Sequence, residues 1–116
     1  MIIKFDEMDL SILPKFKGGE KELRANMFFD GTNRAFRGVL VPGATIGMHT
    51  HDDSCEMIFI ISGRGAILEQ VPGIAEITSQ PVAAGDCLYC PKGCSHSLQN
   101  TDTAEDLVFY AAVALQ

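Results

Sequence analysis

Three histidines are all the chain contains, and their spacing is where chemistry first shows. His49 and His51 are two residues apart, so on a strand both imidazoles leave the same face. Glu56 follows the polar stretch Asp52-Asp53-Ser54-Cys55 and can fold back beside them at the start of the next strand. His96 comes after the turn Pro91-Lys92-Gly93 and approaches from another strand. Three imidazole nitrogens and one carboxylate oxygen suit one divalent transition metal ion per chain: iron, manganese, nickel or zinc. Calcium and magnesium prefer shells of oxygen and fit this donor set poorly. His49, His51, Glu56 and His96 are therefore the candidate metal ligands. Four protein ligands leave an octahedral ion two positions for a chelating organic acid or enol, whereas a tetrahedral zinc would be filled and structural.

These residues have to be carried by strands. Turn residues recur at short intervals, including Lys17-Gly18-Gly19, Asp30-Gly31-Thr32-Asn33, Pro42-Gly43, Pro72-Gly73, Gly85-Asp86 and Asn100-Thr101-Asp102. Short apolar or β-branched runs at 35–41, 56–62, 65–71, 74–82, 86–90, 96–100 and 107–115 lie between the turns. That rhythm predicts an all-β sandwich or barrel, with one helical turn around 19–25 as the sole exception. The run Met57-Ile-Phe-Ile-Ile is apolar on both faces, where a strand with one wet face would alternate. Its second face must be covered by another sheet or another subunit, which points to a homodimer. Residues 1–25 are expected to form an N-terminal arm or strand in contact with that partner, and 34–115 the barrel of a single domain spanning 1–116.

Charge and composition narrow the function classes. The chain has 116 residues, 47% hydrophobic and 21% charged, enough for one domain with its own core. Lys and Arg number 9 against 15 Asp and Glu, a net charge of −6. From Gly38 onward only Arg64 and Lys92 are basic, so the body of the domain is acidic. That excludes a basic nucleic-acid face and a polybasic membrane patch. The start, Met1-Ile-Ile-Lys-Phe-Asp-Glu, places acids where a signal peptide has its apolar segment, so a cytoplasmic location is expected. Four cysteines make an even number, yet Cys87 and Cys90 sit on one predicted strand with side chains on opposite faces. Small buried thiols are expected rather than a disulfide framework, with contact between Cys90 and Cys94 across the 91–93 turn left open.

The spacing also carries a family resemblance. Gly43, His49, His51, Glu56 and Gly63 resemble the first motif of the cupin superfamily at every fixed position. Gly85, Pro91, Gly93, His96 and Asn100 resemble the second, and 21 residues separate the two motifs, as in compact single-domain members. The resemblance implies a jelly-roll β-barrel of two antiparallel sheets, with His49, His51, Glu56 and His96 ligating one metal inside it. It implies a small metalloenzyme of dioxygenase, decarboxylase, isomerase or lyase type, acting on a small organic acid or enol. The alternative is a non-catalytic ligand-binding or sensor domain with a structural metal. A general base beyond Glu56 is not evident. Tyr89, Cys55, Cys90, Arg34, Arg37 and Tyr110 are the residues to inspect, and the parity of residues 34–41 leaves open whether Arg34 or Arg37 faces the pocket. Asp52 and Asp53 read as solvated turn residues with a possible bond to a ligand histidine, and Asn100 as a brace for the loop that follows it.

Overall fold

A computed structural model describes residues 1–116. Its strands are β1 (Ser11–Pro14), β2 (Glu22–Phe29), β3 (Arg34–Leu40), β4 (His49–Thr50), β5 (Ser54–Ser62), β6 (Arg64–Gln70), β7 (Thr78–Ala83), β8 (Cys87–Cys90), β9 (Ser95–Gln99) and β10 (Leu107–Leu115). Every pairing is antiparallel. The larger sheet has the order β1-β2-β3-β10-β5-β8 and the smaller β4-β9-β6-β7. Leu23, Leu40, Ile58 and Phe109 from the first sheet meet Ile67, Val82 and Leu98 from the second in one core. This is the all-β, two-sheet jelly-roll that the turn rhythm and the motifs imply.

Register decides which side chains share the inner face, because residues paired across strands point the same way. One row across the larger sheet reads Phe29, Arg34, Val113, Glu56, Cys90. The next inward row, one layer deeper, reads Met27, Phe36, Ala111, Ile58, Leu88. Arg34 therefore shares a face with Glu56, while Arg37 pairs with Tyr110 on the outward rows. On β5, Ile58 and Ile60 go into the core, whereas Met57, Phe59 and Ile61 are exposed on the outside. The doubly apolar run is real, and its outer half is left uncovered within one chain.

Two expectations are corrected. Residues 19–25 hold no helical turn: β2 begins at Glu22, with Leu23 and Ala25 buried between β1 and β3. Burial of alternate side chains in the sheet outweighs the weak local preference, and two 3-10 turns fall earlier, at Phe5–Glu7 and Phe16–Gly18. The run expected at 74–82 is strand only over Thr78–Ala83. β1 and β2 both join the larger sheet of their own chain.

Residues 16–19 sit directly on 45–47. Gly47 donates its N–H to Phe16 O at 3.0 Å, and Thr45 donates to Glu20 O at 3.0 Å. Glycine is required at this contact, since a Cβ on Gly47 would overlap the carbonyl of Lys17 and one on Gly19 the carbonyl of Thr45. The seating matters for the site, because it brings Phe16 and Lys17 to the edge of the inner cavity.

Candidate metal centre

His49 on β4 pairs in register with His96 on β9, which puts the two imidazoles side by side on the inner face of the smaller sheet. His51 lies just past the end of β4. Its backbone N–H donates to Cys94 O at 3.0 Å, and Gly93 donates back to His51 O at 2.6 Å. The 91–93 turn thus aligns His51 with His96, with Gly93 at the positive φ of 89° that this turn demands. Glu56 reaches the same point from β5 in the opposite sheet.

Each of the four residues offers one ligand atom, and these atoms all lie within 4.8 Å of one another. Glu56 Oε1 is 2.7 Å from His96 Nε2 and 3.2 Å from His51 Nε2, and the two Nε2 atoms are 3.1 Å apart. The three imidazole rings stand at centroid separations of 4.8 to 5.0 Å. Glu56 and His96 are buried, His51 nearly so and His49 partly. Burying this much polarity is costly unless the groups satisfy one another or a shared cation.

Two of the imidazoles are held in a definite orientation through Nδ1. His49 Nδ1 donates to Gly47 O at 2.8 Å, which leaves Nε2 with its lone pair turned inward. His51 Nδ1 lies 3.0 Å from Ser54 Oγ, a contact that fixes the direction of that ring. The orienting groups are thus Gly47 and Ser54, while Asp52 and Asp53 line the cavity wall without bonding a histidine. Burial lowers the pKa of His49 and so favours the neutral imidazole a metal needs. Burial opposes ionisation of Glu56, but hydrogen bonds from His51 and His96 outweigh it and hold the carboxyl at about 2. The acid is a carboxylate at any ordinary pH. Three imidazole nitrogens and one ionised carboxylate, converging in this way, fit a divalent transition ion.

The cavity beside the four residues has a volume of about 380 Å³. Of the residues to inspect for a general base, only Arg34 lines it. Tyr89 points outward and is exposed, Tyr110 packs on Phe5 at 5.5 Å between ring centroids, and Arg37 lies on the outward rows. Cys55 and Cys90 are buried outside the cavity, and burial pushes the Cys90 thiol up to about 12, too high for a thiolate. All four cysteines are free, and Cys90 Sγ lies 3.5 Å from Cys94 O. Sequence reading missed Lys17 and Thr32, which line the cavity from a turn and a loop and carry no motif.

Comparisons with known proteins agree with this architecture. A relative described as an oxalate-binding protein of Thermotoga maritima is 28% identical over 121 residues, 99% of this chain and 94% of its own. A crystal structure from Thermotoga maritima, described as a predicted oxalate decarboxylase, matches with a TM-score of 0.86 and 27% identity over all of both chains. Peruvianin-I, described as a cysteine peptidase from Thevetia peruviana latex, gives a TM-score of 0.78 over 98% of this chain and 71% of that one. Its 18% identity shows a shared fold and nothing of its chemistry. The family model for the cupin domain matches residues 36–113, which contain all four candidate ligands. The chain belongs to the cupin domain family.

Proposed function

We propose that this chain binds a small organic acid, of the kind oxalate represents, at a divalent transition metal ion held by His49, His51, Glu56 and His96. The observation that carries the reading is the convergence of four ligand atoms within 4.8 Å at the wall of a cavity of about 380 Å³. Such an ion supplies Lewis acidity toward carboxylate oxygens. The protein's part is to bring three imidazoles together, keep Glu56 ionised and place the anion where Arg34 and Lys17 offset the acidic body of the domain. The descriptions of the Thermotoga maritima matches support a carboxylate ligand.

Calorimetric titration of oxalate into manganese-loaded and metal-stripped protein tests this. Saturable binding is expected only in the loaded form, and equal affinity without metal would refute the reading. Asp52 and Asp53 on the cavity wall favour a second reading, in which the site also turns its ligand over, since they are the carboxylates within reach besides Glu56. Steady loss of the titrated acid that disappears in the Asp52→Asn/Asp53→Asn variant would establish the enzyme, and no loss over hours the binder.

The reading includes a cytoplasmic homodimer. Met57, Phe59, Ile61 and Tyr89 form one exposed apolar patch on the outside of the larger sheet, with Met57 and Tyr89 directly paired. A two-fold contact sets this uncharged patch against its own copy without opposing like charges. Phe59→Glu is expected to convert a dimer to a monomer in sedimentation, with the metal retained. A monomeric parent chain would rule the interface out.

A further inference from the structure

The cavity is far larger and more apolar than oxalate needs. Oxalate displaces the volume of two or three waters, roughly 60–90 Å³, against about 380 Å³ available. The excess lies to one side. Along the inner row of the larger sheet, Glu56 is followed by Val113, then Arg34, then Phe29, each one strand further from the candidate metal ligands. Arg34 is therefore two strand spacings from Glu56, roughly 10 Å, and Phe29 about 15 Å. One layer deeper, Phe36 and Met27 stand below Arg34 and Phe29. Between the two ends, the larger sheet contributes only Val113 and, one layer deeper, Ala111.

Phe16, Met27, Phe29 and Phe36 line the far end, and no carboxylate stands in the Arg34 and Phe29 columns there. Phe29 is 55% exposed, so an aromatic wall runs out to the mouth. The Arg34 guanidinium lies over the Phe29 ring at 4.7 Å and Lys17 over Phe16 at 5.5 Å, and neither cation has an acidic partner. A cavity with polar chelating groups at one end and an aromatic wall at the other suits a ligand with the same division.

Resting on the metal-dependent acid site just described, we propose that the ligand is an organic acid with an apolar body, such as an aryl 2-oxo acid. Its acid head sits at the histidine cluster and its body against Met27, Phe29 and Phe36. Arg34 and Lys17, each stacked on an aromatic ring, draw the anion in.

The test is calorimetric titration of manganese-loaded protein with oxalate, pyruvate, 2-oxoglutarate and phenylpyruvate. Pyruvate and phenylpyruvate share one head and differ by a ring, so their ratio reads the far end alone. Burying that ring is expected to make phenylpyruvate bind roughly thirtyfold tighter than pyruvate. Met27→Trp should fill the far end and cut the ratio of phenylpyruvate to pyruvate affinity to near one. Phe29→Glu, at an exposed position, serves if the first variant does not fold, and should also cut the ratio to near one. Tighter binding of oxalate or 2-oxoglutarate than of phenylpyruvate overturns this proposal but leaves the metal-dependent acid site standing. Binding of none of the acids to loaded protein overturns both.

Discussion

Replacing His49 and His51 together with alanine is expected to lower metal content from roughly one ion per chain to below about a tenth. Groups that merely orient a ligand are worth ten- to a hundredfold in metal affinity. Two ligands removed outright therefore cost more than about a hundredfold. Elemental analysis of chains exchanged against each candidate metal reads the outcome, and full occupancy in the double variant would show that the ion is held elsewhere. The pH profile gives an independent check. Imidazoles ligate only when neutral, so occupancy should fall as pH drops below about 6. Glu56, held at about 2, stays ionised through that window, so the loss reports histidine protonation and not the carboxyl. Unchanged occupancy at pH 4 would rule out histidine ligation.

The second large effect concerns the fold. Asn100 is 2% exposed. Its side-chain amide donates to Leu40 O and Glu105 O, both at 2.9 Å, with Val41 O at 3.2 Å. Its side-chain oxygen accepts from Asp102 N at 2.9 Å. One residue thereby ties the end of β9 to the end of β3 and closes the loop that leads into β10. Asn100→Ala strands these carbonyls away from water, which is expected to cost about 3 kcal/mol. For a domain of this size that is a fall of roughly 10 °C in melting temperature. Calorimetry on metal-free protein isolates the term from any stabilisation by a bound ion. A change under about 2 °C would show that water replaces the side chain and that the brace is dispensable.

Much of the candidate centre was readable because the information is local. The two-residue spacing of His49 and His51, the turn between His51 and Glu56, and the Pro91-Lys92-Gly93 turn before His96 each set a face or a reversal within a few residues. Asn100 was readable as a loop brace for the same reason. Misreadings arose where local preference is weak. Residues 19–25 have no strong pattern of their own, and only pairing with β1 and β3 makes Glu22–Phe29 a strand.

Arg34 and Arg37 show the other side of that boundary. Their strand is apolar on both parities, so nothing within it says which arginine looks inward. The register of β3 against β2 and β10 places Arg34 in line with Glu56 and turns Arg37 outward. Ser54 and Gly47 as the groups that aim the imidazoles, and Lys17 at the cavity edge, were equally hidden, since backbone carbonyls and turn residues carry no spacing signal. Residue types and short spacings are enough to specify the candidate ligand set and the strand-rich class, because turns and side-chain alternation act over a few positions. The breadth of the cavity and the identity of its far wall depend on how strands distant in the chain align, and one residue of slip would exchange every inward side chain for its neighbour.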